Sequence, residues 1–270
     1  MPESTLFLAA LNQFPKFGPM SLKKIIDHFP DPQTAWQAKP GELEQAGLKP
    51  PLVREFCDWR TSIDPDAVKS RLEAHGIGLL DRSSPGFPPL LMEIPSPPPL
   101  LYYQGELQDK EMAVAVVGPR KHSDYGRQAA AEIVAGLVRE NFTIVSGLAL
   151  GIDAVAHQTT LEQNGRTIAV LANGLDPECI YPSSNRNLYR RILDAGGLVL
   201  SEFPPGTPAF KQNFPQRNRL ISGLSRGTLV IEAALNSGSL ITAELALEQN
   251  REVFSVPGDI RRPTAGGTNQ

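Results

Sequence analysis

The chain has 270 residues, with 26 basic and 29 acidic side chains and a formal net charge of −3, which excludes a uniformly basic surface of the kind that coats nucleic acid. Its length suits two domains. No secretory signal or membrane-length apolar run is evident, and Cys57 and Cys179 lack metal-ligand spacing. These features predict a cytoplasmic protein with reduced thiols and no membrane contact.

Residues 1–75 predict a small all-helical domain, because short apolar stretches alternate there with Gly and Pro. Helices are expected to start near Leu6 and to cover residues 20–29, 32–38, 41–46, 51–59 and 66–75. The turn Phe17-Gly18-Pro19 resembles a helix-hairpin-helix turn, whose backbone N–H groups can meet DNA phosphates. Helical packing explains this turn equally well.

Residues 76–110 are predicted to connect the helical domain to the rest of the chain. Residues 76–80 and 100–103 have the composition of strands. The proline-rich stretch between them is incompatible with a helix or a central strand. Apolar residues on both sides indicate that it packs on a domain surface.

Residues 111–270 predict a doubly wound parallel sheet, and therefore an α/β fold. Val-rich and Ile-rich runs without polar alternation are typical of strands buried on both faces, and helical patterns separate them. The expected strands are 112–117, 142–145, 165–172, 197–200, 227–233 and 251–258.

The loops that follow these strands are rich in Gly, Ser and Asn, and they are expected to line the carboxyl edge of the sheet, where ligands bind. Residues 118–121 follow one strand and residues 146–151 the next. Glycines and helix N-termini together favour phosphate binding, although each glycine alone fits a tight turn. Neither a P-loop nor a G-x-G-x-x-G motif is present, so no mononucleotide or other cofactor is predicted.

Cations and aromatic residues are expected to meet at this edge. Residues 111–270 carry 15 basic side chains, of which all except Lys121 and Lys211 are Arg, the better forked donor to phosphate. Phe210 and Phe214 lie among Lys211, Arg217 and Arg219. Positive charge for a backbone, with ring faces for bases, is what a single strand of nucleic acid requires. For either phenylalanine alone, a core position is the simpler interpretation.

Several motifs in order resemble the DNA-processing protein family, DprA or Smf. They include VVGPRKHSDYG, IVSGLALGIDAVAHQTTL, FPQRNRLISGLS and LVIEAALNSGSLITAELALEQNREVFSVPGD. The resemblance covers about residues 85–270, and loosely the N-terminal part as a sterile-alpha-motif-like (SAM-like) domain. It implies an extended Rossmann-like domain over residues 111–270, and single-stranded DNA binding in natural transformation (competence).

The resemblance also implies protection of the incoming DNA, loading of the RecA recombinase for DNA recombination, and a homodimer formed through the Rossmann-like domain. Because family members usually continue into a last helix, and some into a winged-helix domain, the family pattern is expected to extend beyond Gln270.

The family's Gly-Ser-Arg phosphate turn falls on Gly118, Pro119 and Arg120, where Pro119 replaces the usual Ser and removes one hydroxyl and one N–H donor. The second phosphate loop matches Ser146, Gly147 and Gly151, and the basic pocket matches the segment around Arg-Asn-Arg. The predicted DNA-binding residues are Gly118, Arg120, Lys121, Ser146, Gly147, Gly151, Lys211, Phe214, Arg217, Asn218 and Arg219.

A catalytic role has weaker support in the sequence. Asp153 and His157 lie four residues apart, but two residues do not make a metal site and no G-x-S-x-G nucleophile motif is present. We expect Asp153 to cap its helix and His157 to bond a neighbouring loop. The alternative function is a Rossmann-like nucleotide-processing hydrolase, suggested faintly by Gly227-Thr228 and Glu232. The sequence therefore favours a binding protein with no catalytic residues and no metal site.

Overall fold

The computed structural model describes residues 2–270. Residues 2–75 contain six helices, which we call together the helical domain: α1 (Glu3–Asn12), α2 (Pro19–His28), α3 (Pro32–Gln37), α4 (Pro40–Gln45), α5 (Pro50–Arg60) and α6 (Pro65–Ala74). Helices α2 to α6 each begin at a proline, where the missing N–H has no helical partner to lose.

A cluster of aromatic side chains forms part of the core of this domain. The Phe14 and Phe17 rings meet edge to face at 4.9 Å, and Phe17 lies 4.8 Å from Phe56. Trp36 and Trp59 pack against Phe56. Phe17, from the turn noted in the sequence, is therefore a core residue.

The remainder of the chain builds one eight-stranded sheet. Its strands are β1 (Gly78–Asp81), β2 (Leu100–Gly105), β3 (Ala113–Val117), β4 (Thr143–Ser146), β5 (Thr167–Leu171), β6 (Leu198–Ser201), β7 (Gly227–Val230) and β8 (Glu252–Ser255), in the spatial order β1-β2-β6-β5-β4-β3-β7-β8. Strands β3 to β8 are parallel, as the alternating pattern predicts, so the α/β Rossmann-like class is confirmed.

Residues 76–110 contribute more than a connection. They supply β1 and β2, which pair antiparallel with each other and with β6. They also contain α7 (Pro89–Met92), a single helical turn that the proline content was wrongly expected to exclude. Pro89 stands at its first position, where proline is tolerated.

Helices cover both faces of the sheet. Alternate residues of β3 point to opposite sides, with Val114 and Val116 on one face and Ala113 and Ala115 on the other. The first face carries α8 (Asp124–Arg139), α9 (Ile152–Glu162), α10 (Arg186–Asp194) and the helical domain; the second carries α7, α11 (Asn213–Gly223) and α12 (Gly238–Glu248).

The helical domain shares a core with the sheet. Leu8 and Leu11 belong to the same buried cluster as Leu100 and Tyr102 of β2. Asn12 donates to the Tyr102 hydroxyl at 3.2 Å, and other polar contacts join the two parts: Thr5 with Asp81 at 2.6 Å and Arg71 with Asp176 at 2.8 Å. The helical domain is therefore fixed beside the carboxyl edge of β5 and β6.

Candidate nucleic-acid interface

The loops after β3 and β4 are packed tightly against each other by glycines. Gly151 has φ +81°, and a Cβ there would lie 2.6 Å from the Arg120 carbonyl oxygen. A Cβ on Gly118 would lie 2.6 Å from the Ile152 side chain. Ile152 N–H donates to the Pro119 carbonyl at 3.3 Å. Since neither position has room for a larger side chain, these glycines set the position of Arg120.

Arg217 lies buried beneath the two loops rather than on the surface. Its Nη1 donates to the Gly147 carbonyl at 2.6 Å and to the Val170 carbonyl of β5. A Cβ on Gly147 would lie 2.6 Å from Arg217 Nη2, so Gly147 makes room for the guanidinium. Burial, helped by the nearby charge of Arg120, lowers the pKa of Arg217 to about 10.

Asp153 completes this buried support, in a way that differs from the predicted helix cap. The N-cap of α9 is Gly151, and the Asp153 carboxylate instead accepts from the N–H groups of Gly147 and Ala149, at 3.1 and 3.3 Å. Burial raises the pKa of Asp153, and the positive charge of Arg217 opposes that rise. Its role is to hold the β4–α9 loop.

His157 is also structural, and its partner is a strand residue rather than the expected loop. Its Nδ1 lies 2.7 Å from Thr167 Oγ1, which donates its own proton to the Ile144 carbonyl at 2.7 Å. Nδ1 must therefore carry the ring proton. Burial, with the charge of Arg217, lowers the pKa of His157 to about 3, so the ring is neutral.

Above this support lies an exposed cation on an aromatic ring. The Arg120 guanidinium carbon is 5.0 Å from the centroid of Phe214, at the start of α11, and Tyr181 meets Phe214 edge-on at 6.1 Å. No acceptor among the described residues 2–270 takes a hydrogen bond from the Arg120 side chain, and it has no ion pair there. Lys211, three residues before Phe214 in the sequence, is exposed, and it has no ion pair among the described residues 2–270. We call the depression around Arg120 and Phe214 the cleft; its other lining residues are Gly147, Ala149, Leu150, Ala172, Asn173, Tyr181, Pro182 and Arg217.

Three of the predicted DNA contacts are corrected by this geometry. Ser146 is fully buried and its hydroxyl donates to the Val116 carbonyl at 2.7 Å. Arg219 is 13% exposed, and its Nη2 donates to both carboxylate oxygens of Glu202 at 2.6 Å. Arg217 is 4% exposed where it lines the cleft, and its Nη1 is bound to the two backbone carbonyls. These three residues therefore mainly support the framework.

The other predicted DNA-binding residues differ in their exposure and in their contacts. Lys121 is exposed on the loop after β3. Asn218 accepts a hydrogen bond from Arg217 Nε at 3.3 Å and is half-buried. Sequence reasoning missed Tyr181 and Leu150, which are 47% and 45% exposed at the cleft. An aromatic residue followed by proline in a loop after a parallel strand is a signal that could have identified Tyr181.

The residues that suggested a nucleotide hydrolase have structural contacts as well. Thr228 is fully buried within β7. Glu232 accepts from Ser123 N–H at 2.9 Å, Ser123 Oγ at 2.6 Å and Thr264 Oγ1 at 3.3 Å. The chain order reverses between β3 and β7, where Rossmann-like proteins open a ligand crevice. Here the Glu232 side chain occupies that crevice.

Residues 2–270 contain no group of three or more His, Cys, Asp or Glu side chains arranged to hold a metal ion. Within the same residues, no helix has the length and apolar character required to cross a membrane.

The fold and the cleft define a Rossmann-like α/β protein with an exposed cation and aromatic rings at the carboxyl edge of its sheet. Residues 78–270 match the sequence profile of the DNA recombination-mediator protein A family, beginning at the first residue of β1. The chain belongs to this family.

Individual relatives agree with this assignment. The chain is 45% identical to protein Smf of Synechocystis over 92% of its length and 63% of the relative, and 44% identical to protein Smf of Escherichia coli over 83% and 60%. It thus spans about three fifths of these two proteins.

Two solved structures are similar. The crystal structure of DprA from Streptococcus pneumoniae matches with a TM-score of 0.81 and 34% identity, covering 100% of this chain and 91% of that one. A structure concerned with the single-stranded DNA binding mode of DprA from Helicobacter pylori matches with a TM-score of 0.64 and 31% identity, covering 72% and 85%.

Proposed function

We propose that this chain binds single-stranded DNA at the cleft, and that it acts by binding rather than by catalysis. The observation that carries the proposal is the exposed Arg120 guanidinium held on the ring of Phe214. The free N–H donors of Arg120 suit a phosphate, and the aromatic rings of Phe214 and Tyr181 suit a base. The related H. pylori protein, whose structure describes single-stranded DNA binding, supports the same function.

Within this proposal the predicted residues divide into three groups. Arg120, Lys121 and Lys211 supply exposed positive charge, Phe214 supplies a ring, and half-buried Asn218 supplies a polar group beside them. The glycines of the two loops allow the loop backbone to approach the DNA strand; they are Gly118, Gly147 and Gly151. Ser146, Arg217 and Arg219 hold the framework from below.

The test is fluorescence anisotropy of a labelled oligo(dT) titrated with wild type, Arg120→Ala and Phe214→Ala at several salt concentrations. Arg120→Ala should weaken binding and lower the slope of log K against log salt by about 0.7, the value for one phosphate on a single strand. Phe214→Ala should weaken binding by about tenfold, as expected for a lost stacking contact, with little change in slope.

Matched controls come from the opposite edge of the sheet. Arg139→Ala at the end of α8 and Lys110→Ala before β3 remove exposed cations far from the carboxyl ends of the strands, and both should bind as wild type does. Equal losses for Arg120→Ala and Arg139→Ala would contradict the site. So would unchanged affinity in an Arg120→Ala/Lys211→Ala double variant.

The cellular role that follows from this binding is protection of incoming DNA and loading of RecA in natural transformation, in the cytoplasm. Family membership and the cleft support this role. A nuclease-protection assay and the rate of RecA assembly on single-stranded DNA, followed by DNA-dependent ATP hydrolysis, test it. Wild type should slow digestion and speed assembly, and Arg120→Ala should do neither; wild type without either effect would refute it.

The same proposal includes a homodimer through the Rossmann-like domain. Among residues 2–270, strand β8 pairs with β7 alone and lies at the edge of the sheet. Leu235 and Ile260, 59% and 89% exposed, line one depression in the loops that follow β7 and β8. An exposed strand edge beside apolar side chains favours association. Sedimentation should show a dimer for wild type and a monomer for Leu235→Glu/Ile260→Glu. The control is Met112→Glu, an exposed residue just before the amino end of β3. A wild type that stays monomeric at high concentration would refute this part.

A further inference from the structure

A second depression lies on the other side of the first turn of α11. One wall is formed by residues 12–19 of the helical domain, and the other by residues 203–208, Phe210 and the start of α11. We call this depression the interdomain groove. It exists because the helical domain is fixed against the sheet, so its two walls belong to different domains.

The groove adjoins the cleft through α11. Phe214 and Arg217 line the cleft, whereas Asn213 and Gln216 line the groove, as expected for residues spaced three apart on two neighbouring helix faces. The buried Asn213 amide donates to the carbonyl of Ala172, a cleft residue, at 3.0 Å. A strand that leaves the cleft over the start of α11 therefore reaches the groove directly.

The walls of the groove differ chemically from those of the cleft. Its ionic side chains are already paired, Arg71 with Asp176 at 2.8 Å and Glu202 with Arg219 at 2.6 Å. The rest includes prolines, side-chain amides such as Gln212 and Gln216, and aromatic rings, of which Phe14 and Phe17 are buried in the core of the helical domain. Phe210 stands 51% exposed on the wall. The exposed ring and the amides suit the faces and edges of unpaired bases, whereas a phosphate needs an unpaired cation such as Arg120 in the cleft.

We propose that the interdomain groove holds bases of the same DNA strand whose phosphates lie at the cleft, so that the helical domain forms one wall of the DNA path. This inference rests on the proposed function. Phe210 is the stacking residue at the crossing, and the Gly18-Pro19 turn contacts DNA as part of the groove wall. The groove adds length to the binding site without adding phosphate contacts.

The first experiment measures affinity against oligo(dT) length for wild type, Phe210→Ala, Gln216→Ala and the control Met112→Ala, which truncates a similarly exposed apolar side chain at the opposite edge of the sheet. Phe210→Ala should bind the shortest oligonucleotides normally and lose about tenfold on long ones. That ratio should stay constant across salt concentrations, because stacking releases no counterions. The plateau of affinity should come at a shorter length in the variant.

The second experiment is ultraviolet cross-linking of a long oligo(dT) to the wild-type chain, with the attached peptides identified by mass spectrometry. Cross-links at Phe210 and within residues 12–19, absent with the shortest oligonucleotide, are expected. Cross-links confined to the cleft, with Phe210→Ala indistinguishable from Met112→Ala at every length, would overturn the groove and leave the proposed function intact. A wild type that binds no oligonucleotide would overturn both.

Discussion

The Arg217→Ala variant tests whether Arg217 supports the site from within the protein or contacts DNA directly. Resemblance and charge both predict Arg217 as a DNA contact, whereas the structure buries it beneath the loops. Removing its side chain leaves the carbonyls of Gly147 and Val170 without their charged donor. It also removes the cation that opposes the rise in the pKa of buried Asp153.

The cost follows from these contacts. A hydrogen bond from a charged donor contributes about 1.5–3 kcal/mol, and removing one partner from a buried charged network costs about 3–5 kcal/mol. Since Arg217 and Asp153 make no direct ion pair, we expect the lower end, about 3 kcal/mol. For a chain of this size that is a fall in Tm of roughly 6–12 °C. Arg120→Ala, an exposed change, should alter the free energy of unfolding by no more than about 0.5 kcal/mol.

The assay pairs chemical denaturation with DNA titration at a temperature where every variant is folded. Arg217→Ala should be strongly destabilised, and it should bind weakly because the loops that position Arg120 are displaced. Arg120→Ala should show normal stability and a reduced slope. If Arg217→Ala proves as stable as wild type and lowers the slope by about 0.7, Arg217 is a phosphate contact and the burial argument is wrong.

Two further predictions concern stability. His157 becomes protonated near pH 6.5 in the unfolded chain and only near pH 3 in the folded chain, so the free energy of unfolding falls as the pH drops through that window. Between pH 7.5 and pH 5, the His157→Asn variant should lose about 2 kcal/mol less of this free energy than wild type does. Equal losses for the two proteins in urea titrations would refute this. Gly151→Ala should destabilise by more than 1 kcal/mol or so, because its φ is positive, whereas Gly136→Ala in the open interior of α8 should stabilise by about 0.5–1 kcal/mol. Similar thermal shifts for both glycines would contradict the loop-packing argument.

The parallel core of the fold could be predicted because strands buried on both faces consist mainly of uninterrupted apolar residues, as in β3 and in residues 168–171 of β5. Strand direction has no comparable signal. The composition of a four-residue strand such as β1 does not indicate whether the strand pairs parallel or antiparallel. Residues 76–110 join the sheet because β2 pairs with β6 and β1 pairs with β2. The proline-rich stretch was wrongly expected to exclude a helix, because proline breaks the interior of a helix but is tolerated at its first position, where Pro89 stands.

The site was predictable by location more than by residue. Loops after parallel strands meet at one edge, which correctly brought Arg120 and Phe214 together. Residue type does not indicate whether a side chain is exposed, so nothing in the sequence distinguished the exposed Arg120 from the buried Arg217. One constraint was available from the sequence: residues two apart on a helix point about 200° apart, so Arg217 and Arg219 could not both face the cleft. Arg219 indeed turns to Glu202.

The displacement of the proposed site from the usual Rossmann position has a physical cause in Glu232. The carboxylate accepts from Ser123 N–H and Oγ at the start of α8, and so takes donors that a phosphate would use at the switch point. Gly126 leaves the room for it, since a Cβ there would lie 2.5 Å from Glu232 Cδ. With that crevice occupied, the exposed cation lies on the side of β4 and β5, next to α11 and the helical domain. A long polymer can cross from one depression to the next there, whereas a nucleotide cofactor would need the crevice that Glu232 fills.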